Sequence, residues 1–191
     1  MSPIHAGPVE GSTGRLLVAT PSLRDQSFRR SVVLVLEHTP EGALGVVLDQ
    51  PLPMDATSVL PQWQPHLSAP ARLFRGGPVA GDTALALADL AAGDLPPGLR
   101  ALDGRLGVVD LDVPPPVVVD AIRGLRVFVG YAGWSAGQLD DEIAAGGWFV
   151  VDREPGDPFT AEPDGLWRRV LRRQPGDIAL LSTAPDDVTL N

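Results

Sequence analysis

The sequence contains no cysteine and no lysine, so all 15 basic residues are arginine. Without cysteine, the chain forms no disulfide and offers no thiolate as a nucleophile or a metal ligand. The lysine-free composition, rich in alanine, glycine, proline and valine, resembles the codon bias of a GC-rich genome more than a functional choice. Thiol chemistry is therefore excluded.

Long apolar segments are also missing. No stretch approaches the roughly 18 apolar residues that a membrane-spanning helix needs. The first residues show neither the basic start nor the apolar run of a secretory signal. We therefore expect a cytoplasmic protein with no membrane segment.

Positive charge is scarce, since 24 acidic residues outnumber the arginines and give a formal net charge of −9. Affinity for nucleic acids comes largely from basic residues that neutralise phosphates. Anionic membrane surfaces attract basic segments for the same reason. The one dense basic group, at positions 168, 169, 172 and 173, is typical of the solvated face of a helix. Direct DNA binding is therefore disfavoured.

The chain does have enough apolar residues for a large core. Hydrophobic residues make up 44% of its 191 positions, and the mean hydropathy is +0.09. A chain of this length fits one domain. We predict a disordered leader over residues 1–13 and a single domain over residues 14–191. The 21 glycines and 20 prolines indicate many turns.

The local patterns predict an α+β fold, in which a large mixed β-sheet is flanked by a few short helices. A β-branched run over residues 31–36 is typical of a strand covered on both faces, and the Glu41-Gly42 pair indicates a hairpin with residues 43–48. Residues 51–70 hold five prolines and are predicted to form a loop with one short helical turn. Further strands are predicted over residues 16–19, 83–87, 105–111, 126–129, 148–151 and 178–182, and helices over residues 117–123, 138–145 and 166–173, the last capped by Asp164.

A catalytic serine is the first enzyme hypothesis. Residues 133–137 read Gly-Trp-Ser-Ala-Gly, a G-x-S-x-G pattern, and they lie in a predicted turn between a strand and a helix, where a nucleophile elbow belongs. In the hydrolase fold that has a nucleophile elbow, the catalytic histidine follows the serine in the chain, whereas His5, His38 and His66 all precede Ser135. The pattern therefore favours a glycine-rich turn in which Ser135 is incidental.

Two other hypotheses concern the same region. The start of the 138–145 helix could hold an anion, but Asp140, Asp141 and Glu142 already place negative charge there. Glu37 and His38 could join Asp141 and Glu142 in a metal or acid–base site, although no ligand spacing supports this. Both patterns favour structural roles, and we predict no metal and no cofactor.

Four ordered motifs resemble the YqgE/AlgH family of small bacterial proteins. The first begins at Thr20-Pro21-Ser22-Leu23 and continues to Val32, and the second comprises Glu37-His38 and residues 42–48. The third is residues 76–79, Gly-Gly-Pro-Val. The most specific one is residues 130–134, Gly-Tyr-Ala-Gly-Trp, with the following Gly-Gln-Leu at 137–139, Glu142 and Trp148. The resemblance spans residues 14–182.

The resemblance implies a compact α+β fold with a large mixed sheet in a cytosolic bacterial protein. It implies no established activity, although some members carry a transcriptional-regulator label linked to exopolysaccharide control. In the family the position of Ser135 varies. Here Gln26 replaces a proline, Asp49-Gln50-Pro51 replaces Asn-Arg-Pro, and Asp140 replaces a glutamate. Any role that requires that asparagine or arginine is in doubt for this chain.

Polar and aromatic side chains concentrate in the motifs, where they form either a hydrogen-bonded network or a binding cleft. We predict a non-enzymatic regulatory protein that binds a small ligand or a protein partner. The alternative is a hydrolase that uses Ser135 or a water activated by His38 or Glu142. Residues 20–31, 76–79 and 130–142 either converge on one site or form turns at separate edges. The candidate ligand-binding residues are Thr20, Asp25, Ser31, Glu37, His38, Gly76, Gly77, Tyr131, Trp134, Gln138 and Glu142.

Overall fold

A computed structural model describes residues 11–23 and 25–184 of the chain. Ten strands of this part form one sheet, and every pair is antiparallel except β5 and β9, which are parallel. The predicted α+β class and mixed sheet are therefore confirmed. The strands are β1 Leu16–Ala19, β2 Val32–Thr39, β3 Gly42–Val47, β4 Pro51–Asp55, β5 Arg72–Arg75, β6 Val79–Leu90, β7 Leu99–Asp103, β8 Leu106–Val109, β9 Ile122–Ser135 and β10 Trp148–Val151.

Strand β9 joins two halves of the sheet. One half has the order β10-β1-β2-β3-β9, and the other continues from β9 through β6 and β8 to β7. The first part of β9 pairs with β6 and, at Phe128 and Val129, also with β5. Its last four residues pair with β3. A single strand of 14 residues therefore holds both halves together.

The helices are short. They are α1 Pro115–Val118, α2 Gln138–Ala144, α3 Leu166–Arg172 and α4 Asp177–Leu180, and 3-10 helices cover Gln26–Phe28, Gln64–His66, Val119–Ala121, Asp157–Phe159, Pro163–Gly165 and Leu181–Thr183. In the described part of the chain, no helix has the length and the apolar content that crossing a membrane would take.

The alternation of side chains along the strands divides the core between the two faces of the sheet. Leu16, Val18 and Leu34 pack with Trp167 of α3 on one face. On the other face, Leu17 packs with Leu139 of α2 among further buried residues. Burial of each such side chain is worth about 1.5–3 kcal/mol. The continuous apolar run of β2 is therefore explained by cover on both faces, as predicted.

Two predicted elements are wrong in type. Residues 178–182 form α4 and a 3-10 helix instead of a last strand. An apolar run this short is compatible with either structure. The predicted loop over residues 51–70 contains β4 in addition to the predicted helical turn. Pro51 and Pro53 are tolerated there because β4 pairs with β5 alone among the described strands, so it is an edge strand.

The boundaries of other predicted elements differ from those in the structure. Instead of a helix over residues 117–123, α1 is followed by a 3-10 helix, and β9 already begins at Ile122. The glycine-rich turn predicted after residue 129 is strand, because β9 continues to Ser135. Asp164 does not cap α3, since the capping residue is Gly165 and no side chain bonds there.

The predicted leader lies mainly outside the described residues, which begin at Gly11. Ser12 is fully buried. Thr13 accepts a hydrogen bond from the backbone N–H of His38 through Oγ1 at 3.1 Å. The Gly14 N–H donates to the Val35 carbonyl at 2.8 Å. The segment that enters β1 is therefore attached to β2.

Candidate functional site

The motif at the end of β9 surrounds a single carboxylate. Glu142 of α2 accepts hydrogen bonds on Oε2 from the indole Nε1 atoms of Trp134 at 3.0 Å and Trp148 at 2.8 Å. Its Oε1 accepts from Gln138 Nε2 at 3.0 Å. Both oxygens of Glu142 are therefore engaged by side chains of the chain itself, as a paired, partly buried carboxylate requires.

The two indoles belong to a buried aromatic cluster. Phe28 stacks on Trp134 with ring centroids 6.0 Å apart, and it meets Trp148 edge to face at 5.5 Å. Trp134 is 6% exposed and Trp148 is 3% exposed. Gly137, with a φ of +72°, makes the left-handed turn that starts α2 and brings Glu142 over the indoles. The cluster is part of the core.

Thr20 connects the first motif to the same region. Its backbone N–H donates to the Gly147 carbonyl at 3.0 Å, and its hydroxyl donates to the Gly146 carbonyl at 2.8 Å. These carbonyls lie just beyond the C-terminus of α2, where helices leave acceptors unpaired. Thr20 therefore links the segment between β1 and β2, through two hydrogen bonds, to the turn between α2 and β10.

Asp25 and Ser31 also have partners within the chain. Asp25 caps the 3-10 helix Gln26–Phe28 by accepting from the Ser27 N–H at 2.8 Å. The Ser31 side chain is buried and accepts from Gln50 Nε2 at 3.0 Å. The first and last motifs meet at the Phe28–Trp134–Trp148 cluster.

Gly76 and Gly77 directly follow β5, and they lie beside Val129 and Tyr131 of β9. The Gly76 N–H donates to the Val129 carbonyl at 2.8 Å, and its carbonyl accepts from the Val47 N–H at 2.8 Å. A Cβ atom on Gly77 would lie 2.2 Å from the carbonyl carbon of Tyr131. These glycines therefore allow the chain after β5 to lie close to the backbone of β9, and they approach the motif at Gly130, Tyr131 and Ala132.

His38 lies beneath α2. Its side chain is 7% exposed, and Nε2 is 3.6 Å from Oδ2 of Asp140. Nδ1 is buried and has no hydrogen-bond partner among the described residues. Glu37, in contrast, lines a shallow cavity of about 240 Å³ together with Trp134, and that cavity includes neither His38 nor Gly77. The predicted site residues thus do not share one cavity.

The hydrogen-bond partner of Ser135 is an amide side chain and not a general base. Its hydroxyl donates to Gln138 Oε1 at 3.2 Å, and its backbone N–H donates to the same oxygen at 3.0 Å. Among the described residues, no group of three or more carboxylates and histidines could hold a metal ion. Residues 133–137 therefore form the end of β9 and the turn into α2, with Ser135 bonded to the first residue of that helix.

Two further cavities accompany the motifs. One, of about 200 Å³, is lined by Thr20 and Asp25 with Arg29, Arg30 and Trp167. The Arg30 guanidinium lies 4.9 Å from the centre of the Trp167 ring. Sequence reasoning missed this contribution of α3, because the contact joins positions far apart in the chain. A wider groove of about 510 Å³ is lined by Gly130 and Tyr131 of the last motif and by residues of β6 and β8.

Sequence reasoning also missed two ionisable side chains inside the fold. Arg126 is 1% exposed, and it donates from Nη1 to the Thr160 carbonyl at 3.0 Å and from Nη2 to the Ala69 carbonyl at 2.6 Å. Its guanidinium lies 4.1 Å from the centre of the Phe74 ring. Burial lowers the pKa of Arg126 to about 10. Carbonyl oxygens and an aromatic face therefore replace water around this cation.

Asp49 is the second of these ionisable side chains. Burial raises the pKa of its carboxyl to about 8, and the hydrogen bond from the Val32 N–H, at 3.4 Å, acts in the opposite direction. The neighbouring Asp164 adds to the rise. Asp49 therefore holds its proton at neutral pH, which makes it similar to the asparagine that the resembled family has there.

Comparison with known proteins identifies the family. The model of the DUF179 family, described as AlgH-like, matches residues 16–179. A UPF0301 protein of Streptomyces coelicolor is 50% identical over 187 residues, which cover 96% of this chain and 97% of that protein. A UPF0301 protein of Thermobifida fusca is 52% identical, with 94% and 95% of the two chains covered.

Two solved structures are similar. The crystal structure of a Corynebacterium diphtheriae protein has a TM-score of 0.85 and 35% identity, and the alignment covers 92% of this chain and 93% of that one. The solution structure of the AlgH protein of Pseudomonas aeruginosa has a TM-score of 0.69 and 25% identity, with 98% and 100% covered. The chain belongs to the AlgH-like family.

Proposed function

We propose that the protein is a non-enzymatic, cytoplasmic regulatory protein that works by binding another molecule. One observation carries the proposal: both oxygens of the Glu142 carboxylate accept hydrogen bonds from Trp134, Trp148 and Gln138. A general base needs an oxygen that reaches the substrate or an attacking water. The most specific motif of the family is therefore used for folding, and function is left to the surface.

The hydrolase alternative lacks its base. A serine nucleophile is activated by a histidine or a similar base within hydrogen-bond reach. The Ser135 hydroxyl instead donates to an amide oxygen of Gln138, which takes up no proton at neutral pH. His38 faces Asp140 through Nε2. These contacts support binding over hydrolysis.

Regulation through direct DNA contact is disfavoured by charge. The net charge is −9, and two arginines of the basic group at α3 are paired with acids, Arg169 with Glu162 and Arg173 with Asp157. Paired arginines have less positive charge to offer to phosphates. The regulator label that some family members carry therefore fits a role through a protein or small-ligand partner.

A serine-directed fluorophosphonate probe and a panel of chromogenic esters and phosphate esters test the proposal. We expect no labelling and no turnover above that of buffer, with Ser135→Ala as the control. Stoichiometric labelling that is lost in Ser135→Ala would establish a hydrolase. Turnover that disappears in His38→Ala, in a protein that stays folded, would establish the activated-water alternative.

A further inference from the structure

Strand β6 has an incomplete edge. On one side it pairs with β9 along most of its 12 residues, from Val79 to Leu90. On the other side β8 pairs only with residues 86–89. Among the described residues, the preceding part of β6 has no second partner strand. Such an edge is a template for an added strand.

The groove of about 510 Å³ lies beside this edge, where β6 and the chain that continues from β8 diverge. Thr83, Ala84 and Leu85 line one side, and Asp110, Leu111 and Asp112 line the other. Leu60 and Tyr131 also belong to the lining. The volume lies within the range of about 300–1,000 Å³ that is usual for binding sites. The groove therefore combines free strand backbone with an apolar lining.

The rim of the groove is acidic. Asp110 and Asp112 line the groove, and Asp82 directly precedes the lining residue Thr83. All three aspartates are exposed, and no described arginine forms an ion pair with any of them. Asp110 accepts only the Asp112 N–H, at 2.9 Å, through its side chain in the described structure. Unpaired carboxylates around an apolar groove attract a segment that carries basic side chains.

The same features disfavour a second copy of this chain. Two copies would bring their acidic rims together, each on a chain with a net charge of −9. The register of β6 with β9 also shifts between Val79 and Ala84, and Ala80 has a φ of +49°. Bulges and charges are the usual protection of an edge against self-association.

We propose that this groove binds an extended segment of another protein, in which arginine or lysine alternates with apolar residues, as an added strand beside residues 83–85 of β6. The inference rests on the proposed binding function. Main-chain hydrogen bonds to β6 supply affinity, and alternate side chains enter the groove or face its acidic rim. The partner is therefore defined by backbone conformation, apolar pattern and positive charge.

The last family motif shapes this groove. Gly130 and Tyr131 line it. Gly130 has a φ of +71°, and a Cβ atom there would lie 2.8 Å from the carbonyl oxygens of Gly77 and Val79. Glycine at this position thus lets the start of β6 lie against β9. The motif supports the groove at one end and the aromatic cluster at the other.

Selection from a phage library of random dodecapeptides, with the wild-type protein as bait, tests the inference. We expect enriched peptides that alternate basic and apolar residues. Synthetic copies should bind Asp82→Arg/Asp112→Arg at least about tenfold more weakly than wild type. Neither side chain has a described partner, so this variant should fold.

The matched control is Asp94→Arg/Asp120→Arg, which changes the net charge equally at exposed positions beyond the other end of β6. Its affinity should stay within about twofold of wild type. Amide hydrogen exchange measured with the bound peptide should slow at residues 83–85. That readout reports an added strand, which a general charge attraction would not produce.

The experiment distinguishes a wrong groove assignment from a wrong proposed function. The groove assignment is wrong if no peptide is enriched, or if binding protects residues 20–30 instead of residues 83–85; in the second case the binding function itself stands. A wild-type dimer in sedimentation that Asp82→Arg/Asp112→Arg abolishes would make the occupant a second copy. An activity in the ester or phosphonate assays would overturn the proposed function whatever the peptides do.

Discussion

Trp134 and Trp148 share one acceptor atom, Oε2 of Glu142, and their ring centroids lie 6.2 Å apart. Trp134 belongs to β9 and Trp148 to β10, and β3, β2 and β1 lie between these strands in the sheet. In a flat sheet, four strand spacings would separate β9 from β10 by roughly 19 Å. The shared carboxylate therefore closes a strongly curled half-sheet.

Glu142→Gln tests this role. The substitution removes the charge that strengthens both indole hydrogen bonds, and it turns an amide toward Gln138. We expect the free energy of unfolding to fall by about 1–3 kcal/mol, measured by urea denaturation. Glu41→Gln, at an exposed position in the turn between β2 and β3, is the control and should be neutral. An unchanged midpoint for Glu142→Gln would show that the carboxylate is dispensable for folding.

Asp49 gives the stability a defined pH dependence. Its pKa is about 8 in the folded state against 3.8 as the ordinary value, so between these values the folded chain holds a proton that the unfolded chain has lost. This group's contribution to stability is complete below about pH 3.8 and is lost as the pH rises through about 8. This dependence of stability on pH has the opposite sign to that produced by an ion-paired aspartate.

Asp49→Asn removes this dependence, because the amide oxygen still accepts the Val32 N–H and no charge forms. We expect the variant to gain stability relative to wild type progressively from pH 4 to pH 8, the range between the two pKa values, and to keep a constant advantage above it. Thermal unfolding across this range measures the difference. Asp94→Asn, at an exposed loop position, should show the same dependence of stability on pH as the wild type. A constant difference at all pH values would contradict the raised pKa.

Arg126→Lys tests the buried cation. One ammonium group cannot reproduce the planar fork that serves the carbonyls of Thr160 and Ala69 while lying on the Phe74 ring. We expect the melting temperature to fall by about 5–10 °C. Arg100→Lys, on the exposed face of β7, should leave it unchanged. Equal effects of the two substitutions would mean that the fork geometry contributes nothing.

Gly77→Ala tests the close approach of two strands. The added Cβ atom would lie 2.2 Å from the Tyr131 carbonyl group, which is backbone and cannot rotate away. We expect a loss of at least about 3 kcal/mol, or failure to fold. Gly156→Ala is the control, since a Cβ atom there meets nothing within 4 Å. A well-folded Gly77→Ala protein of wild-type stability would require β9 to move away from residues 76–79.

The sequence predicted elements whose signal is local. The hairpin of β2 and β3 follows from a long β-branched run and a Glu-Gly turn, and α2 follows from spaced apolar residues between glycines. The passage of β9 through Gly130 and Gly133 could not be predicted, because their packing against residues of β6 appears only in the folded chain. The four apolar residues 178–181, which form most of α4 and the start of the next 3-10 helix, fit a strand equally well.

The candidate site was predictable only in part. The motifs named Trp134, Gln138 and Glu142, and their mutual hydrogen bonds follow the network alternative. Nothing local indicated that Trp148 would share the same carboxylate, since that contact depends on the curl of the sheet. The groove beside β6 was missed for a similar reason: it exists because β8 ends where β6 continues, a relation between strand lengths that no motif encodes.

Strand β9 also determines when the core forms during synthesis. Its partner strands β3, β5 and β6 all precede it in the chain, and without it the sheet separates into β1–β3, β4–β5 and β6–β8. Until residues 122–135 leave the ribosome, each of these pieces exposes the edge and the apolar face that β9 later covers. Such edges are where nascent chains aggregate. The emerging chain therefore exposes these edges until β9 joins the two halves, and β10, which follows β9, then adds the outer strand of the first half.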